Sequence, residues 1–306
     1  KGTYFSGSEL AAALGVSRNA VWKAIKSLEK SGYRISAVPN KGYCLNMDND
    51  ILSSWSIKQH LNHDGLNITV YDTISSTNDV LKEGAPHGTV IISQEQTAGK
   101  GRMGKNFYSP SKTGIYLSIL VRPDIPAGES LFLTTSAAVA TAKAIEDVSD
   151  KKTDIKWVND IYISDKKVCG ILTEASFNIE TGKLDYAIVG IGINICYPNG
   201  GFPDNINDIA TAVFDSNTDT VNKRSILIAH LLDYFMDYYE NFDKKSYVDE
   251  YIKRSMLIGR RIYIVNGDDK IPVTAKEIDR DCRLKVEYED GSEKWLSSGE
   301  VSIKIK

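Results

Sequence analysis

Cysteine is scarce and unpatterned: the chain has four, Cys44, Cys169, Cys196 and Cys282, with no C-x-x-C pair. That spacing excludes a zinc knuckle and a dense disulfide frame, and it fits a reducing cytoplasm. Long hydrophobic runs are missing too. No stretch of about 18 apolar residues is present, so no membrane partner is expected, and residues 1–20 lack the charged, apolar and small-residue order of a signal peptide. Neither an internal repeat nor a low-complexity segment is found. Net charge is small, 37 Lys plus Arg against 40 Asp plus Glu, or −3, which excludes a polycation that wraps nucleic acid with its whole surface. What remains is an ordinary folded composition, 42% hydrophobic and 25% charged, over 306 residues. That length exceeds a single small binding module and suggests at least two cores. The chain opens at Lys1 rather than Met, inside residues that already read as ordered, so a short N-terminal piece is expected to precede it.

Charge is unevenly spread. Residues 1–46 carry Lys1, Arg18, Lys23, Lys26, Lys30, Arg34 and Lys41 against Glu9 and Glu29, a local +5 that leaves −8 for the remainder. Within this basic segment, 8–14 reads as a short helix, Gly15 as a turn, and Ser17 as the N-cap of a second helix ending near residues 31–32. Val21, Ala24, Ile25 and Leu28 fall on one helical face and are expected to be buried, which turns Arg18, Asn19, Trp22, Lys23 and Lys26 outward. Two strand-like runs, 33–38 and 42–45, flank Pro39-Asn40-Lys41. The pattern is a winged helix-turn-helix, assigned to residues 1–62, with 47–50 turn-like and 56–61 a short linking helix.

Residues 63–255 read differently. Strand candidates 89–93, 114–121, 154–158, 161–164, 168–175 and 185–193 mix with helices at 77–83, 130–148 and 222–241. Short turns such as Asn159-Asp160 and Asp165-Lys166 predict a mixed α/β domain with a largely antiparallel sheet. From residue 256 to 306 the run is all strand, 261–265, 271–278, 283–288 and 293–296, with Asn266-Gly267 and Asp290-Gly291 as hairpin turns, predicting a small β-barrel.

The most suggestive run is 96–106, where Gly99, Gly101 and Gly104 alternate with Lys100, Arg102 and Lys105. Glycines let backbone N–H groups approach an anion, and interleaved cations suit phosphate or carboxylate; the other reading is a solvated hairpin loop. The run also satisfies G-x-G-x-x-G and, with Asn106 in place of Ser or Thr, nearly satisfies a P-loop. Both motifs need a helix immediately afterwards, and 106–111 with Pro110 is a poor helix start. Lys156 alternates with Ile155 and Trp157, so it faces either solvent or a cleft, where it would be a fixed cation. Gly190 and Gly192 in 188–194 mark either a bulged core strand or the close approach of another group.

In this order, Ser76-Thr77-Asn78, the glycine-rich loop, Lys156-Trp157-Val158-Asn159-Asp160, Lys167-Val168-Cys169-Gly170-Ile171-Leu172 and Gly190-Ile191-Gly192-Ile193-Asn194 resemble the biotin protein ligases. The basic N-terminal module makes the bifunctional ligase and repressor type the best match. The resemblance implies a class II synthetase-like central domain and an SH3-like terminal domain. It implies that biotin and ATP form biotinyl-5′-AMP, and that a lysine of a biotin acceptor domain in a biotin-dependent carboxylase then takes the biotinyl group. By the same resemblance Lys156 and Arg102 are catalytic. Ser76, Thr77, Asn78, Gln96, Lys100, Gly101, Arg102 and Lys156 surround biotin, with Lys100 toward its carboxylate. Gly99, Arg102, Lys105, Phe107, Lys156 and Asn194 hold the adenylate. Phe107 stands where the family often has Trp, and Lys105 where Arg is common, which keeps the charge but not bidentate geometry. Mg²⁺ is expected with ATP, although no dedicated carboxylate cluster can be read and no metal ligand is assigned. The resemblance further implies a cytoplasmic homodimer that binds operator DNA with Arg18, Asn19, Trp22, Lys23, Lys26 and Lys41 when biotinyl-5′-AMP is present. The alternatives are a biotin-sensing repressor without ligase activity and a lipoate-type ligase.

Overall fold

The structure, a computed structural model, describes residues 3–30, 33–46, 51–81, 84–215, 222–267 and 269–303. Near the N-terminus the Ser6 hydroxyl accepts the Glu9 N–H at 3.1 Å while Glu9 accepts the Ser6 N–H at 2.7 Å, a capping box that starts helix α1 (Gly7–Leu14). Gly15 ends it at φ +63°, a left-handed conformation that glycine adopts without strain. Ser17 then accepts the Ala20 N–H at 3.1 Å and opens α2 (Arg18–Lys30), as its sequence position predicts. Strands β1 (Ile35–Val38) and β2 (Gly42–Leu45) pair antiparallel as the wing. One expectation needs correction. Val21 and Ile25 are buried with Ala11, but Ala24 and Leu28 are exposed, because α1 and the wing pack on the Val21 side only. The expected helix end at 31–32 and the turn at 47–50 lie outside the described residues.

A short helix α3 (Ser54–Lys58), capped by Ser53, leads into the central domain. There follow β3 (Asn67–Ile74), α4 (Thr77–Val80), β4 (Thr89–Gln96), β5 (Gly114–Val121), α5 (Leu131–Val148), β6 (Asp154–Lys156), β7 (Asp160–Ile163), β8 (Lys166–Phe177) and β9 (Leu184–Asn194). Helices α6 (Asp204–Asn207), α7 (Lys223–Glu240) and α8 (Val248–Lys253) complete it. The strands form one sheet in the order β3-β4-β5-β9-β8-β7-β6, with β3–β4 the parallel pair and the rest antiparallel, so the mixed sheet is as expected. Alanine-rich α5 is buried along most of its length between the sheet and α7, which is why its apolar pattern runs around the helix rather than along one stripe. β3 and α8 were not foreseen. β3 is an edge strand with only Ile68 buried, so it carries little apolar alternation to read.

The C-terminal strands β10 (Arg261–Asn266), β11 (Asp269–Ile278), β12 (Leu284–Tyr288), β13 (Glu293–Leu296) and β14 (Glu300–Ile303) form an antiparallel sheet ordered β13-β12-β11-β10-β14. Among the described residues no pairing joins β13 to β14, so hydrogen bonds do not close the expected barrel. Buried Ile262, Val273, Leu284 and Val301 of this sheet belong to the same apolar cluster as the central domain, whereas the winged-helix cluster stands apart.

Candidate functional site

At one end of the central sheet a cavity of about 820 Å³ opens between the 76–78 turn, the 96–107 loop, the end of β6, and strands β8 and β9. It is lined by Ser76, Thr77, Asn78, Gln96, Lys100, Gly101, Arg102, Lys105, Phe107, Lys156 and Asn194, residues that the sequence had grouped from four separate runs. Gly99 is the exception. It is buried behind the loop, where a Cβ would press on Phe107 O and the Ser109 hydroxyl.

The 96–107 loop is a hairpin folded over the cavity. Gly101 N–H donates to Lys105 O at 2.7 Å and Phe107 N–H to Gly99 O at 2.9 Å, and the tip turns through Met103 and Gly104 at positive φ. No helix follows it, so the dinucleotide and P-loop motifs lack the helix N-terminus that they require. Lys100 Nζ lies 2.6 Å from Asp79 Oδ1, which ties the loop to α4 rather than aiming its charge only at a ligand carboxylate. Arg102 donates to Asn159 Oδ1 at 2.9 Å and to Gly299 O at 3.0 Å, so it joins the loop to the β6–β7 turn and to the C-terminal sheet.

Lys156 ends β6 half-buried and facing the cavity, so of its two readings the cleft is the one the fold adopts. Strand β9 pairs regularly with β5 and β8 through Gly190 and Gly192, without a bulge. Their role is close approach: a Cβ at Gly190 would overlap the Asn78 side chain, and one at Gly192 would overlap the Phe107 ring. Phe107 also meets Tyr116 edge to face at a centroid distance of 6.3 Å.

Several residues at the site were not assigned from sequence. Asn159 holds Arg102, and the Lys167 ammonium lies 2.7 Å from Asp160. Both residues stood inside quoted runs, but nothing in their spacing gave them partners. Ser118 is fully buried between Thr77 and Asn78; its signal is a small polar side chain in a strand, β5, whose other side chains are aliphatic or aromatic. Glu174, Asp208, Arg260 and Ser302 come from separate elements and had no local signal.

The residues expected to meet DNA gather elsewhere. Arg18, Asn19 and Trp22 line a groove of about 660 Å³ between α2 and the wing. Lys23, Lys26 and Lys41 are exposed outside it, with Lys26 paired to Glu29 at 2.6 Å.

Residues 1–44 match the HTH domain, 70–194 the Biotin/lipoate A/B protein ligase family, and 257–304 the Biotin protein ligase C terminal domain. The chain is similar to the Bifunctional ligase/repressor BirA of Bacillus spizizenii, 39% identical over 245 residues that span 78% of this chain and 74% of that one. The chain belongs to the biotin protein ligase family. A second member, the Bifunctional ligase/repressor BirA of Escherichia coli K12, is 28% identical over 99% of this chain and 94% of its own length. Among solved structures, the biotin protein ligase of Aquifex aeolicus in complex with biotin and ATP superimposes with a TM-score of 0.62 at 26% identity, covering 78% of this chain and 99% of that one. As a family member, this chain is a helix-turn-helix domain, a ligase catalytic domain and an antiparallel C-terminal β domain in series. No helix among its described residues is long and apolar enough to cross a membrane.

Proposed function

We propose that this protein condenses biotin with ATP to biotinyl-5′-AMP and pyrophosphate, and then transfers the biotinyl group to a lysine of a biotin acceptor domain. The observation that carries the reading is convergence: the 76–78 turn, the glycine-rich loop, Lys156 and Asn194 meet on one cavity of about 820 Å³, a size that suits a small acid beside a nucleotide. In the first step a biotin carboxylate oxygen bonds to the α-phosphorus as the bond to the pyrophosphate oxygen breaks, and charge builds on the phosphate oxygens. The Lys156 ammonium and Arg102 guanidinium oppose that charge from fixed positions, Arg102 being held by Asn159 and Gly299 before any ligand arrives. In the second step the acceptor amine attacks the biotinyl carbonyl carbon, AMP leaves, and the amine gives up a proton.

Phe107, seated on Gly192, covers the ligand, and Lys105 and Asn194 border the phosphates. No group of three or more His, Cys, Asp or Glu side chains that could hold a metal ion gathers among the described residues, so those residues offer no cage of their own for Mg²⁺. A magnesium ion would travel with the ATP phosphates.

The same protein is proposed to repress biotin genes as a dimer loaded with biotinyl-5′-AMP. Arg18, Asn19 and Trp22 in the α2–wing groove, with Lys23, Lys26 and Lys41 around it, supply base and phosphate contacts, and two such modules fit two half-sites. Four buried cysteines that form no disulfide support a cytoplasmic setting.

Pyrophosphate release from ATP on adding biotin tests the enzyme. Wild type releases it, lipoate does not substitute, and Lys156→Ala slows release by about 100-fold or more, the scale for losing one group that stabilises developing charge. No biotin-dependent release by wild type would leave only the biotin-sensing repressor, and lipoate-dependent release would favour the lipoate-type ligase.

A further inference from the structure

The turn 157–159, which joins β6 at the sheet edge to β7, is buried: Trp157, Val158 and Asn159 all lie inside the protein. Connecting turns normally run over the surface, because a buried one must find partners for its backbone polar groups. Here the partners come from three directions. Asn159 O accepts the Ile171 N–H from β8 at 3.1 Å. Val158 O accepts the Tyr251 hydroxyl from α8 at 3.0 Å. The Trp157 indole N–H, in turn, donates to Cys282 O between β11 and β12 at 2.9 Å.

Tyr251 is fully buried, and burial raises its hydroxyl well above the ordinary value of 10, so the group keeps its proton and remains a donor. The residue after Val158 is the one that reaches the cavity. Asn159 is fixed at both ends of its amide: Nδ2 donates to Ile171 O at 2.7 Å, and Oδ1 accepts from Arg102 Nη1 at 2.9 Å. Arg102 therefore takes part of its position from the turn, and the turn takes part of its own from Tyr251. A second tyrosine in the same junction is placed differently. The hydroxyl of buried Tyr247, just ahead of α8, meets Thr135 Oγ1 on α5 at 3.1 Å.

We propose that Tyr251 is a positioning residue for adenylate formation: its hydrogen bond to Val158 O sets the 157–159 turn and, through Asn159, holds the Arg102 guanidinium where charge develops on the phosphate. The inference rests on the proposed function, in which Arg102 opposes that charge. Tyr251 acts from behind the cavity wall, and its side chain does not line the cavity. Without the hydroxyl, Val158 O is left buried and unpartnered, and the turn shifts to relieve it. Asn159 moves with the turn, and Arg102 loses the fixed place that makes its charge effective. The 76–78 turn belongs to a separate part of the wall, so the cost falls on the rate of the first step rather than on binding of biotin.

First-turnover release of pyrophosphate by the full chain, at saturating biotin and ATP, tests this beside biotin titration and thermal unfolding. Tyr251→Phe, which keeps the ring, should slow release by about tenfold with the biotin Kd within about threefold of wild type. Tyr247→Phe removes a hydroxyl from the same buried junction and should lower the thermal midpoint by a similar amount, yet leave the rate within about twofold. In an Arg102→Ala background, Tyr251→Phe should slow release by less than about twofold more, because the group it positions is already gone. A Tyr251→Phe protein as fast as wild type overturns the proposal. So does a Tyr247→Phe protein as slow as Tyr251→Phe, a biotin Kd that rises as much as the rate falls, or a full tenfold loss that persists without Arg102. A wild type with no biotin-dependent release removes the proposed function itself, and the inference falls with it.

Discussion

Gly192 shows how much a single missing methyl group can decide. Its two hydrogens leave room for the Phe107 ring, and the ring in turn roofs the cavity from the end of the glycine-rich loop. Gly192→Ala should push Phe107 off the strand, weakening adenylate binding and lowering stability by about 1–3 kcal/mol, the usual range for an overfilled packed site. Thermal unfolding with and without biotin plus ATP reads both effects, and a variant that matches wild type in each would show that Phe107 does not need this seat. The glycine itself was legible as a strand residue that either bulges or admits a neighbour. Which neighbour was not, because Phe107 lies far away in sequence and only the sheet order brings the two together. Ser118 and Glu174 teach the same lesson: each sits alone in its own strand and has meaning only through Asn78.

At the scale of elements, β6 is the weakest-looking part of the catalytic frame: three residues at the sheet edge, carrying Lys156. It is held from outside. Ile155 N–H donates to Arg254 O at 2.7 Å, and Met256 N–H returns to Ile155 O at 3.1 Å. The Arg254 guanidinium meets both Glu146 oxygens, at 2.6 and 2.9 Å, and Thr153 Oγ1 at 2.9 Å, locking the start of β6 to the end of α5. Burial alone would push the Glu146 carboxyl up, but the hydrogen bonds from Arg254 and Thr153 outweigh it and hold the carboxyl below its ordinary value of 4.5. A carboxyl depressed in the folded state binds fewer protons than in the unfolded chain, so its stabilisation is present above the ordinary value and lost as the pH falls through the lower folded one. Glu146→Gln should therefore cost about 1–3 kcal/mol near neutrality, with a smaller penalty in acid. Thermal midpoints of both proteins from neutral pH into acid check it, and parallel curves would remove Glu146 from the acid response. The strand and helix of this lock were readable by their patterns. The lock was not, since Glu146 and Arg254 are over a hundred residues apart and neither stands in a motif.

For the whole molecule, the net charge of −3 conceals a division of labour. The +5 lies on a module whose small core is separate from the apolar cluster shared by the central and C-terminal domains. The +5 and the helix-turn-helix pattern were legible because capping residues and charges act locally; the joining of the other two domains was not, because it depends on contacts such as Arg102 to Gly299 and Trp157 Nε1 to Cys282 O at 2.9 Å. Separate cores let DNA contacts change without disturbing the cavity. Arg18→Ala and Lys23→Ala should each weaken binding to the operator, found by footprinting upstream of biotin synthesis genes, and leave biotin-dependent pyrophosphate release as in wild type. A cation that neutralises one phosphate releases about 0.9 of a counterion, so its loss from each subunit of a dimer should flatten the slope of log K against log salt by about two, whereas a base-reading residue should change sequence preference and not slope. Mobility shifts from low to physiological salt separate these outcomes for Arg18, which lines the α2–wing groove, and Lys23, which lies outside it. If neither variant differs from wild type in affinity or slope, α2 is not the element that enters the groove of DNA.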